Sequence, residues 1–273
     1  MMRVSFRVIA GVIVALAAAP GMRAVPVQEM PQGTSSPVAS RPDLRGAAEQ
    51  IFALGNQARA EAGIPRLVWD PALAVAALAH CRRMAAEGPI AHRYGGEPAL
   101  TTRAAQAGAH FSLIEENVAV GATPEAIHQA WMQSPGHRQN LLNPQVDHVG
   151  IAVVSAHGVL YVVADYTAAA QNLTAAQVEA RVAALIRVSG VAIRPNPAPA
   201  RAACVRGDGW SPTPADRPAW MIRWQNSDLS RLPSALTHQL GSGSFRQAAV
   251  GSCPAEHYNG AFTSYRVAVL LYY

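Results

Sequence analysis

The 273-residue chain is 50% hydrophobic and 14% charged, against roughly 25% charged in an average globular chain, so it holds enough apolar material for a core and is not a wholly disordered protein. All 22 basic residues are Arg, which excludes Schiff-base chemistry and a phosphate-loop lysine. The net charge of +5 is uneven: residues 1–42 carry +3, residues 43–170 carry −3 and residues 171–273 carry +5, and no Arg cluster interleaved with aromatics points to nucleic acid.

Arg3 and Arg7 precede an apolar run from Val8 to Ala19, followed by small residues. The run is about a dozen residues long, too short to span a bilayer as a helix. This layout predicts a cleaved signal peptide over 1–24 and a secreted or periplasmic protein with no transmembrane anchor in the mature chain. Residues 25–42, rich in Pro, Gly, Ser and Thr, read as a disordered leader.

Asp43 is placed to cap a helix running to about Ala62 and ended by Gly63. Asp70-Pro71 is a cap followed by proline at the first helical position, opening a helix to about Glu87. Leu73, Ala77, Cys81 and Met84 share one face of it, which makes Cys81 a buried, unpaired thiol. A shorter helix covers roughly 98–107. Residues 111–120 read as irregular at first and then as strand. Thr123-Pro124 and Ser134-Pro135 repeat the cap-then-proline signal, opening helices to about Gln133 and to just before Asn143. The period then changes. His148–Ala156 and Val159–Tyr166 are β-branched runs separated by His157-Gly158, the pattern of an antiparallel hairpin. Helices gathered around such a hairpin give an α+β class with a small antiparallel sheet.

Further on, Thr174 and Gln177 form a capping box that opens another helix, ended by Gly190. Arg194 to Pro199 reads as an extended, proline-rich linker, so that 171–200 is a helix plus linker. Residues 201–273 show one helical stretch near 229–240 and two strands, over 245–253 and 262–272. They read as a small C-terminal α+β accessory module. Cys204 and Cys253 both lie there, and in an oxidising compartment they are expected to pair. His137 and Gly150 are spaced as His238 and Gly251 are, with a strand after each pair. That coincidence raises the question of a decayed repeat.

Several short segments occur in a fixed order. They are Asn56-Gln-Ala-Arg59, Gly63, Leu67, Trp69-Asp70, Ala91-His92 and Glu116-Asn117-Val118-Ala119. Trp131-Met-Gln-Ser134-Pro-Gly136-His137-Arg138-Gln-Asn140-Leu follows, then Val149-Gly150-Ile151-Ala152 and the Tyr161–Tyr166 strand. By this ordered set the segment 43–170 resembles the CAP superfamily of cysteine-rich secretory, antigen 5 and pathogenesis-related proteins, in its short bacterial form. The resemblance implies an α-β-α sandwich and a cleft lined by two His and usually two acids. His92, Glu116 and His137 match three of these positions. Ser134 stands where the second acid belongs, so the implied ligand cleft is His92, Glu116, Ser134 and His137, with one carboxylate missing.

Neutral imidazoles suit zinc or another divalent metal, so His92 and His137 are tentative metal ligands, with Glu116 holding a water or orienting an imidazole. No cofactor is certain. Ser134 reads more readily as a helix cap than as a nucleophile. No oxyanion donor is evident, and the His-Glu-x-x-His spacing of a metalloprotease helix is absent. The expectation is an exported binding protein for an extracellular or envelope ligand, whether a small molecule, lipid, glycan or protein. The alternative is a metal-assisted hydrolase acting on peptides or cell-wall material, with Glu116 as base.

Overall fold

The computed structural model describes residues 43–206, 212–214, 217–255 and 262–273. The expected signal peptide and leader lie outside these residues. The first helix, α1 (Leu44–Glu61), begins where Asp43 accepts a hydrogen bond from the Gly46 amide. After β1 (Val68–Trp69), the Asp70 carboxylate accepts from the Ala72 and Leu73 amides and opens α2 (Pro71–Glu87). Helix α3 (Leu100–Gln106) leads into β2 (Phe111–Gly121). The whole of 111–121 is strand. The irregular start read from the sequence is a register shift between Phe111 and Leu113, a bulge within a continuous ladder.

Thr123 caps α4 (Pro124–Gln133), and α5 (Pro135–Leu141) follows directly. Strands β3 (His148–Ala156) and β4 (Val159–Ala169) form the hairpin, with His157 and Gly158 both at positive φ, as a two-residue turn of matching twist requires. The sheet order is β1-β3-β4-β2. The sheet is mixed, because β1 runs parallel to β3 while the other pairs are antiparallel. A two-residue strand gives no periodicity, so the sequence could not announce it.

Alternation along the strands sends their two faces into different cores. Val149, Ile151, Val162 and Tyr166 meet Ile51 of α1, Ile127 and Trp131 of α4 and Leu141 of α5. On the opposite face Val118, Ala152 and Val163 meet Ala77, Cys81 and Met84 of α2. This is the α-β-α sandwich. Cys81 is free and fully buried, as read. Gly150 makes the α2 layer possible: a Cβ there would lie 2.1 Å from the Ala74 backbone nitrogen.

Asn56 and Arg59 of α1 both bond to loop backbone. Arg59, fully buried, donates to the carbonyl oxygens of Pro65, Leu141, Asn143 and Val146. Asn56 both donates to and accepts from the Leu67 backbone. Each ties the helix to loops that have no ladder of their own.

The C-terminal part repeats the topology of the first. Helix α6 (Ala175–Arg187, with its capping box), β5 (Ala192–Ile193), α7 (Ala198–Arg206), β6 (Trp220–Asn226), α8 (Ser234–Gly241), β7 (Gln247–Cys253) and β8 (Tyr265–Tyr272) follow in order. Their sheet order is β5-β7-β8-β6, with β5 parallel to β7. The segment read as an extended linker is therefore a short connection after β5 that runs into the first turn of α7, where Asn196 accepts from the Ala198 amide. Prolines in the first turn of a helix cost no hydrogen bond, so a proline-rich run does not exclude one.

The repeat extends to details. A Cβ on Gly251 of β7 would lie 2.2 Å from the Arg201 nitrogen of α7, as Gly150 does toward α2. Ala77 and Ala152 share a core cluster in the first unit. At the corresponding helix and strand positions of the second stand Cys204 and Cys253. These are disulfide-bonded with their Cα atoms 5.8 Å apart, as the sequence led us to expect.

Candidate functional site

Strand β2 is an edge strand, and its Glu116 side chain lies on the α2–α3 side of the sheet. Two groups hold it. His92, in the loop between α2 and α3, approaches with Nδ1 2.9 Å from Glu116 Oε1. Arg103 of α3 donates from Nη2 to Glu116 Oε2. The Glu116 and Arg103 side chains are almost wholly buried, while the His92 side chain is 35% exposed. A carboxylate paired with a guanidinium stays ionised and accepts, so the shared proton with His92 sits on Nδ1. That leaves Nε2 of His92 as the lone-pair nitrogen, and it makes no hydrogen bond among the described residues.

Helix α5 lies beside the same strand. Asn117 donates to the His137 carbonyl, and Asn140 donates to the Glu116 carbonyl and to Asn117 Oδ1. These bonds set His137 near His92. Burial first, and then the proximity of His92, push the His137 imidazole below its usual range and keep it neutral. The fold thus sets His92 against Glu116, with His137 on the adjoining helix within electrostatic range of His92. Ser134 occupies the cap position between α4 and α5 and is 9% exposed. It stands at the N-cap as read, but its hydroxyl makes no capping bond, and no bond joins it to the His92–Glu116 pair among the described residues.

Four further polar residues complete the site, and the sequence did not single them out. His80 of α2 is fully buried. Its Nδ1 lies 2.7 Å from Glu97 Oε1 and its Nε2 2.9 Å from the Ala91 carbonyl. It anchors both flanks of the loop that carries His92. Glu97 also accepts from the Tyr94 amide. Burial works to raise its pKa, but that amide and His80 outweigh it and hold the carboxylate low. Arg103 reaches from α3 to Glu116. Asp165 of β4 stands directly opposite Glu116 in the ladder and is fully buried. Two of these were legible: His80 falls on the apolar face of α2, and Asp165 interrupts a β-branched strand. Nothing in the sequence around Arg103 marks it.

Among the described residues, no three His, Cys, Asp or Glu side chains form a group able to hold a metal ion. Both oxygens of Glu116 are committed to His92 and Arg103, so it does not serve as a third ligand or as a free base. The residues present do not fit a zinc centre of the three-ligand kind. The second unit does not repeat the chemistry. Arg223 and Ala268 are opposite each other where Glu116 and Asp165 are in the first.

Residues 52–166 match the model of the cysteine-rich secretory protein family, CAP. The uncharacterized protein YkwD of Bacillus subtilis is 30% identical over 109 residues, 40% of this chain and 42% of its own length. The uncharacterized membrane protein YlbC of the same organism is 32% identical over 110 residues, 38% of this chain and 31% of its own. The chain thus spans less than half the length of either relative. An extracellular protein containing an SCP domain from Bacillus anthracis is 28% identical, with a TM-score of 0.44, covering 50% of this chain and 45% of that one.

Proposed function

With residues 52–166 forming a CAP domain, we propose that the chain is an exported binding protein, which uses the exposed edge of His92 and the neighbouring His137 to hold a ligand outside the cytoplasm or in the envelope. The observation that carries this reading is the clamp on Glu116. A carboxylate gripped by Arg103 and by His92 orients an imidazole and presents its Nε2; it does not activate water. The exposed edge of His92 and the neutral imidazole of His137 offer ring nitrogens to hydroxyl and amide groups, which suits a glycan or a peptide ligand and asks for no metal. Export is supported by the Cys204–Cys253 bond, which belongs to an oxidising compartment. Among the described residues no helix is long and apolar enough to cross a membrane.

The hydrolase alternative has less support, because its base is engaged and its metal lacks a third ligand. The test is retention of the full chain on purified peptidoglycan and on vesicles of anionic phospholipid. Retention on one of these should fall at least tenfold in the His92→Ala/His137→Ala double variant. Equal retention of a folded double variant, or turnover of cell-wall fragments that is lost in Glu116→Gln, would sink the reading.

A further inference from the structure

Asp165 is the buried group that the site's bonds leave unexplained. It sits in the middle of β4 with no exposed surface, opposite Glu116 on β2 and opposite Gly150 on β3. Neither of its carboxyl oxygens meets a hydrogen-bond donor. The charged groups that bear on it are Glu116 on the neighbouring strand, Arg103 from α3 and Glu97 from the loop before α3. Arg103 gives Nη2 to Glu116 and Nη1 to the His92 carbonyl, with Glu97 3.9 Å from Nη1, and neither these nor its unpartnered Nε bonds to Asp165. An ionised Asp165 would therefore be a second carboxylate set beside the first, with no exposed surface and no protein donor bonded to it. Such an arrangement is among the most costly in a protein interior. A protonated Asp165 has none of these defects. Its hydroxyl becomes the donor, and Glu116 is the acceptor within its reach.

We propose that Asp165 is a neutral carboxylic acid at neutral pH and a positioning residue, whose hydroxyl donates to Glu116. Glu116 is then held from three sides: by Arg103, by Asp165 and by the Nδ1–H of His92. No proton changes place; the acid keeps its own and fixes the orientation of the carboxylate, and through it the tautomer of His92. Burial, and then the charge on Glu116, push the Asp165 carboxyl in the same direction, well above the usual range. The proposal deepens the binding reading where it assigns His92 its outward nitrogen, but the proton on Asp165 stands or falls separately.

The test begins with the unaltered full chain. With aspartate carboxyl carbons labelled, one resonance should lie at the protonated-acid position at neutral pH, and the infrared spectrum should show the carbonyl stretch of a protonated carboxyl. Both should vanish in Asp165→Asn and persist in Glu115→Gln, which removes the half-buried carboxyl next to Glu116 on β2. In Asp165→Asn the side-chain amide still donates to Glu116, so the nitrogen spectrum of the His92 ring should remain that of the Nδ1–H tautomer. In Asp165→Ala it should shift to a mixture of tautomers. Aspartate resonances that are all ionised at neutral pH in the unaltered chain overturn the proposal without need of any variant. A protonated-acid signal that survives in folded Asp165→Asn does so too, as does a His92 tautomer indifferent to Asp165→Ala. Failure of ligand retention alone would strike the binding reading and leave Asp165 untouched.

Discussion

At the scale of the residue, the polar groups of this protein act by being spent. Arg59 fills its donors on four loop carbonyls and gives up solvent entirely; the burial lowers its pKa, and the contacts compensate. Asn56 and His80 do the same for other loops. Asp165 has a measurable consequence through linkage. Its folded pKa is raised, so the folded state binds the proton more tightly than the unfolded chain does. The stabilisation is complete below the unfolded value and is lost as pH rises above it, toward the folded pKa. His137 has the opposite sign on the other side: its folded pKa is lowered, so stability falls as pH drops below the unfolded imidazole value. The Asp165→Asn variant removes the first of these. In urea unfolding it should gain on the unaltered chain progressively between pH 5 and pH 9, and a constant difference across that range would contradict the assignment. Which residues bear the site was only half visible beforehand. His92, Glu116 and His137 stood out through their order along the chain. Arg103 did not, because an Arg on a short helix looks the same whether it faces water or a carboxylate.

At the scale of the element, two glycines set how closely helix and sheet approach. Gly150 and Gly251 sit at equivalent points of β3 and β7, each against the third residue of a helix, with backbone atoms where a Cβ would be. No side-chain rotation relieves a clash with backbone, so Gly150→Ala should destabilise by about 3 kcal/mol, the upper end of the usual overpacking cost, and Gly251→Ala by a similar amount. Urea unfolding of each variant measures this, and a loss below about 1 kcal/mol in either would show that the layers yield. The helix starts were readable because a cap is a local event: Asp43, Asp70, Thr123 and Thr174 each bond an amide two or three residues on. Strands β1, β5 and β6 were not. The first two have two residues each, and their existence depends on a parallel partner about 55–80 residues further along the chain, at β3 and β7.

At the scale of the molecule, two sheets of one topology are joined by the segment ahead of β8. The Thr263 amide donates to the Phe111 carbonyl at 2.8 Å, and Phe262 packs edge-on against Phe111, with ring centroids 5.4 Å apart. Phe262 joins a cluster that includes Ala104 and Ala105 of α3, next to Arg103. The second unit thus supports the helix that clamps Glu116, although it holds no matching site of its own. Its disulfide closes a loop of 49 residues of sequence separation, and removing it should lower stability by about 4 kcal/mol. Guanidinium unfolding of Cys204→Ala/Cys253→Ala checks this; an unchanged midpoint would mean that the α7–β7 contact holds without the bond.

Caps, turns, the two long core helices and the β3–β4 hairpin were determined by sequence alone, because each depends on neighbours within a few residues, while the order of motifs singled out His92, Glu116 and His137 only as candidates. The tertiary structure alone decided that Glu116 is committed to Arg103 and His92, that Asp165 lies buried against it, and that the C-terminal part repeats the first fold. These are contacts between residues far apart in the chain, and a carboxylate's chemistry depends on which charges and donors the fold sets beside it.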